Sequence, residues 1–181
     1  QRLVDQALSD GLEVKAAIEI EWVVSAGEGG DFVSAAPGAA YGMSRLIDVS
    51  DYARDVVDAL GAQGIMVDQF HPEYAAGQLE LSVAVESPVD AADTAVLVRS
   101  TIRAVGRRHN YRTSFSPKVE AEGVGNGGHV HLSVWRDGQN LMTGGDGRFG
   151  LAPAGEAFAA GVLAHLPALL AIGAPSMSSY L

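Results

Sequence analysis

Three stretches of this chain alternate apolar residues with carboxylates or imidazoles at a period of two, and this alternation limits the fold more than any other feature. In residues 16–24, AAIEIEWVV, Ile18, Ile20 and Trp22 alternate with Glu19 and Glu21. From Gln78 to Ser87, Leu79, Leu81, Val83 and Val85 alternate with Gln78, Glu80, Ser82 and Ala84. From His129 to Arg136, Val130, Leu132 and Val134 alternate with His129, His131 and Ser133. A period of two sends successive side chains to opposite sides of a β-strand. Each strand therefore has an apolar side that needs cover and a polar side that carries reactive groups.

Between these strands the pattern changes. Residues 27–37 are a Gly-rich loop, and Ser50 opens DYARDVVDALGAQG, where Tyr52, Val56, Val57 and Leu60 recur at helical spacing until Gly61 or Gly64. Residues 65–70 predict a strand, HPEYAAG a turn, and Ser87-Pro88 the start of a helix over 91–108. A short strand over 111–115, a Gly-rich segment over 123–128, an Asp137-Gly138 hairpin turn into 139–142 and a last helix over 153–171 complete the chain. Strands and helices mix, and one strand pair is joined by a hairpin, which favours a single α+β domain over a parallel stack.

Composition narrows the partners. A formal net charge of −10 with no run of Lys or Arg argues against a nucleic-acid surface or an anionic membrane. An acidic chain can still bind an anion such as ATP if metal ions stand between the carboxylates and the phosphates. The absence of cysteine removes disulfides and thiolate metal sites, and a cytoplasmic setting fits. The apolar stretch around 159–174 is broken by His165, Pro167 and Gly173, so it reads as a buried helix and its exit rather than a membrane span. The chain starts at Gln1 and stops at Leu181 after a Ser-Met-Ser-Ser run, which suggests cuts inside a longer protein.

Each polar face taken alone is unremarkable. Glu19 and Glu21 at i and i+2 match an ordinary solvated strand, Glu73 and Glu80 a surface turn, and His129 with His131 a structural pair. Together they are harder to dismiss, because four converging glutamates repel one another unless cations stand among them. Oxygen-rich sites with an occasional imidazole suit Mg²⁺ or Mn²⁺, and such ions share ligands with phosphate oxygens. Phosphoryl transfer from a nucleotide is the chemistry that follows.

Glu19-Ile20-Glu21, His71-Pro72-Glu73, Gly77-Gln78-Leu79-Glu80, Phe115-Ser116-Pro117-Lys118 and His129-Val130-His131-Leu132-Ser133 occur in this order. The set resembles the catalytic domain of glutamine synthetases from about residue 12 to the chain end. The resemblance implies a largely antiparallel curved sheet with flanking helices, part of a longer catalytic domain. It also implies an ATP-dependent ligase that converts glutamate to γ-glutamyl phosphate, which ammonia then attacks. On that basis Glu21, Glu73 and Glu80 would hold one Mg²⁺ or Mn²⁺, and Glu19 and His129 the one bridging ATP. His131, Ser133 and Asp68 would contact the nucleotide, and Gly125 the glutamate. The family further implies a homo-oligomeric ring with sites shared between subunits, and parts of the site outside these 181 residues, which alone should be inactive.

One departure concerns the acid. Glutamine synthetases carry an Asn-Gly pair where this chain has Val124-Gly125, and Asn126 lies two places on. The change is compatible with a γ-glutamylamide ligase that uses an organic amine, with another acid, or with a non-catalytic metal-binding relative. A cupin-type metal barrel is a further alternative, since Gly123 precedes His129-x-His131, but its expected glutamate is replaced by Trp135, Arg136 and Asp137.

Overall fold

The central strand forms where the alternation is longest. The computed structural model describes residues 1–27 and 29–181, and Glu28, inside the expected loop, lies outside the described residues. After α1 (Arg2–Ser9), β1 runs over Glu13–Ala26 and buries Ile20, Trp22 and Val24 on one side. Helices α2 (Met43–Asp48) and α3 (Ser50–Gly61) follow, then β2 (Val67–Pro72) and β3 (Gln78–Val83). The long helix α4 (Pro88–Arg108) leads to β4 (Tyr111–Ser114), β5 (Gly128–Arg136) and β6 (Gln139–Asn140). Helices α5 (Pro153–Ala164) and α6 (Leu166–Gly173) end the chain, with short 3₁₀ turns at Arg148–Gly150 and Met177–Tyr180.

Every pairing between these strands is antiparallel. The sheet order is β2-β3-β1-β5-β6, with β4 pairing the end of β1. This open sheet with flanking helices is the expected α+β architecture, and its two edges set it apart from a closed cupin barrel. The core lies between the apolar side of β1 and β3 and the helices α3 and α4. There Trp22 and Tyr52 are almost fully buried, and the Trp22 indole donates to the Tyr52 hydroxyl at 3.1 Å. Ser87 caps α4 by accepting from the Asp90 amide at 3.3 Å, and Pro88 sits in its first turn. The β5–β6 turn uses Asp137 and Gly138, both at positive φ (49° and 77°), which the twist of a tight hairpin requires.

Several sequence expectations shift. The strand expected at 65–70 runs over Val67–Pro72, taking His71 out of the turn and into the sheet. The strand expected at 78–87 ends at Val83, leaving Val85 exposed, and Val57 lies outside the core face of α3. The single helix expected at 153–171 is two, bent by 70° at His165. Pro167 cannot donate to the carbonyl of Leu163, so the helix restarts there. The apolar stretch around 159–174 is exposed rather than buried, because α5 and α6 pack on little besides each other. Among the described residues no single helix is long and apolar enough to cross a membrane, although this bent pair passes that test on length and composition. Helices α1 and α2 were not expected; they are short and neither has a side-chain cap.

Arg45, on α2, is 3% exposed and has no acidic partner among the described residues. Its guanidinium donates instead to the carbonyls of Gly38, Glu73, Tyr74 and Ala75, at 2.6–3.1 Å. Four carbonyl dipoles thus take the place of a carboxylate and hold the turn after β2. Arg45→Met should destabilise the protein by about 3 kcal/mol, as expected for a buried polar network that loses its donor. Urea unfolding measures this.

Candidate functional site

Register carries the acids together. Across β1 and β3, Glu21 pairs with Glu80 and Glu19 with Ser82; across β2 and β3, His71 pairs with Glu80. On the other flank of β1, Glu19 pairs with His129, Ala17 with His131 and Lys15 with Ser133. Paired residues of an antiparallel ladder point to the same side. Glu19, Glu21, Glu80, His71, His129, His131 and Ser133 therefore share the face opposite the core.

Two groupings stand on this face. In the first, one ligand atom each of His71, Glu73 and Glu80 lie within 4.8 Å of one another, a spacing that fits one cation. His71 Nε2 is 3.1 Å and its Nδ1 3.6 Å from the carboxylates of Glu80 and Glu73 respectively. Burial raises the pKa of the Glu80 carboxyl, and the charge of Glu19 adds to the effect, which is what crowded acids do without a cation. The sequence reading joined Glu21, Glu73 and Glu80; here His71 stands between Glu73 and Glu80, and the Glu21 carboxylate accepts from Gln78 Nε2 at 2.7 Å. An imidazole opposite Glu80 could have been nominated from the H-x-E motif had the strand been placed two residues later.

In the second grouping, Glu19 bonds His129 through one oxygen and lies 3.3 Å from His131 Nε2 through the other. The hydrogen bond from His129 pulls the Glu19 carboxyl below its ordinary 4.5, and Glu19 in return raises His129 above 6.5. Each shift favours the charged form of its group, so the pair is an imidazole and a carboxylate that hold each other.

Of the expected nucleotide contacts, His131 lies beside Glu19, and Ser133 accepts from the Trp135 indole at 2.8 Å. Asp68 does not join them. It sits exposed at a register shift of the edge strand β2, three strands from β5, or about 14 Å at 4.8 Å per strand. The carbonyl of Gly125, the expected glutamate contact, accepts from Gln78 Nε2 at 2.9 Å. Asn126 points inward: its Nδ2 donates to the Ser116 carbonyl at 2.8 Å and its Oδ1 accepts from Gln78. The Phe115–Lys118 motif serves this loop, since the Pro117 carbonyl accepts from the Asn126 amide at 2.9 Å and Lys118 Nζ donates to the Gly123 carbonyl at 2.7 Å. Gln78, Asn126 and Arg45 were not nominated from sequence as site residues; Gln78, in line with Glu80, and Asn126, two places after Val124, left a signal there, and Arg45 left none.

The comparisons with known proteins bear on the family and the fold. The family model for the glutamine synthetase catalytic domain matches residues 1–181. The chain is 58% identical over 173 residues to the gamma-glutamylpolyamine synthetase GlnA3 of Streptomyces coelicolor, covering 94% of this chain and 37% of that protein. It is 34% identical over 132 residues to a glutamine synthetase of Halobacterium salinarum, covering 72% of this chain and 29% of that one. A crystal structure described as a novel glutamine synthase homolog superposes with a TM-score of 0.89 at 37% identity, over 98% of this chain and 41% of the other. The chain therefore carries the fold of a glutamine synthetase catalytic domain. It belongs to the glutamine synthetase family. It spans about a third of the length of the curated relatives it matches.

Gly127 tests the geometry. Its carbonyl accepts from the Glu21 amide at 3.3 Å, and a Cβ there would fall on the Glu21 carboxylate and 2.7 Å from His129 Nε2. Gly127→Ala should weaken Mn²⁺ binding roughly 10-fold or more, as displaced ligand shells do, with the fold retained. Binding should also compete with protonation of His129, whose pKa Glu19 raises, so affinity falls as pH drops through that raised range. Calorimetry in two buffers of different ionisation enthalpy reads the released proton.

Proposed function

We propose that the protein carrying this chain joins the γ-carboxylate of glutamate to an organic amine at the expense of ATP, through γ-glutamyl phosphate. The sequence alone pointed first to ammonia as acceptor. Support for an organic amine comes from the surface next to Glu73. Tyr41 and Tyr74 stand edge to face with ring centroids 6.2 Å apart, and both are more than half exposed. The Tyr41 amide donates to the Glu73 carbonyl at 3.3 Å, and the charge of Glu73 raises the Tyr41 hydroxyl above its ordinary pKa. Carboxylates draw in an ammonium group, and tyrosine faces hold the alkylammonium chain behind it. Ammonia has no chain to hold. The 58% identical relative bears a name that specifies polyamines.

The residues then divide the work. His71, Glu73, Glu80 and Glu21 would hold one Mg²⁺ or Mn²⁺, and Glu19 with His129 the other. Such ions screen two approaching anions and offset the charge of the transferring phosphoryl group. His131 and Ser133 face the nucleotide, the loop around Gly125 orients glutamate, and Tyr41 with Tyr74 orients the acceptor. Asp68 is left out of the nucleotide site. We place this activity in the cytoplasm, where ATP is at hand, and in a homo-oligomer whose neighbouring subunits complete each site.

Glutamine synthesis is the second reading, favoured by the relatives named glutamine synthetase. Phosphate release by the full-length protein with ATP, Mn²⁺ and glutamate separates the two, with ammonium set against diamines and polyamines. Amines should be preferred, and Tyr74→Ala should raise the KM for a polyamine about 5-fold, the equivalent of about 1 kcal/mol for one cation–π contact, while ammonium turnover stays as it was. Preference for ammonium would return the protein to glutamine synthesis. No release with any acceptor, despite Mn²⁺ binding that Glu73→Ala abolishes, would sink the catalytic reading.

A further inference from the structure

Gln78 is 1% exposed, and a buried amide of this kind must find partners for its oxygen and both its protons. It opens β3, two residues before Glu80 and on the same side of the sheet. Its Oε1 accepts from the Ala75 amide at 3.0 Å, which fixes the way the group points, since only its oxygen end can meet an N–H. Nε2 then faces three acceptors: Glu21 Oε2 at 2.7 Å, the Gly125 carbonyl at 2.9 Å and Asn126 Oδ1 at 3.1 Å. Asn126 is anchored in turn to the carbonyls of Ser116 and Pro117. One buried amide therefore ties a carboxylate of the central strand to the glycine-rich loop and to the turn behind Glu73.

Common substitutes lose one or more of these bonds. A carboxylate would set oxygen against oxygen at Glu21, Gly125 and Asn126. Lysine could donate to all three but could not accept from Ala75. An apolar side chain would strand all four partners, at a cost for each buried group left unpaired.

We propose that Gln78 is a positioning residue that couples the Glu21 carboxylate to the glycine-rich loop, so that a cation at Glu21 and a substrate on the loop sense each other through one amide. The proposal rests on the reading of Glu21 as a metal ligand and of the loop as the glutamate seat. It places Asn126, which touches no candidate ligand, within the same unit.

A double-mutant cycle in the full-length protein tests this, with Mn²⁺ affinity as readout. Gln78→Met should weaken Mn²⁺ binding 10- to 100-fold, the range for partners that orient a ligand. Asn126→Ala should weaken it about 3-fold in the native background and not at all beside Gln78→Met, since the route between them is gone. Glutamate should tighten Mn²⁺ binding in the unsubstituted protein and lose that effect in Gln78→Met. If Gln78→Met does not fold, Gln78→Ala, which removes the amide and leaves room for water at its four partners, carries the same cycle. Additive effects, or unchanged Mn²⁺ affinity with a lowered Tm, would make Gln78 a packing residue only and overturn the proposal. Mn²⁺ binding indifferent to Glu21→Gln would instead remove the metal reading itself, and this proposal with it.

Discussion

Burial of Ile20, Trp22 and Val24 beneath α3 and α4 decides on which side every acid of β1 must emerge. Once Trp22 is enclosed and its indole bonded to Tyr52, Glu19 and Glu21 have no other place to point. The same burial on β3, through Leu79 and Leu81, turns Glu80 and Gln78 outward to meet them. The polar face is therefore held by the apolar one. A slip of a single residue in either pairing would send the carboxylates inward and the leucines out, at a cost the core would not sustain.

What the face holds is a balance of charge. Glu73 and Glu80 are separated by the imidazole of His71, and Glu19 is flanked by His129 and His131. Imidazoles interleaved with carboxylates let the acids gather without a fixed cation such as lysine, which would bar a divalent ion from the same place. Arg45, the one buried cation of the turn, is spent on backbone carbonyls and reaches the site only by shaping the chain that carries Glu73.

The alternating strands, α3, α4 and the Asp137-Gly138 hairpin were legible because each depends on a local pattern: period two, period 3.6 with a cap, or a dipeptide that tolerates positive φ. The candidate ligands were legible with them, since a residue's side of a strand follows from its neighbours. What was hidden depends on distant chain. Nothing near Arg45 announces that carbonyls some 30 residues on will enclose it. The register shift that leaves Asp68 at the sheet edge, and the inward turn of Asn126, are settled by pairing partners elsewhere. The exposure of α5 and α6 was misread because an apolar composition says only that a helix seeks cover, not that it has found it among these residues.

The central position of β1 also shapes how the protein folds. Its partners β3 and β5 arrive late, and the pairing of Glu19 with His129 closes a loop of 110 residues. Such distant closures are slow, because their entropy is lost before their contacts reward it. Until β5 docks, the grouping of Glu19 with His129 is unbuilt, whereas His71, Glu73 and Glu80 meet through β2 and β3. A metal ion held by Glu19 and His129 would then leave the folding rate nearly untouched and act on the reverse step, slowing unfolding and lengthening the lifetime of a chain that has already found its register.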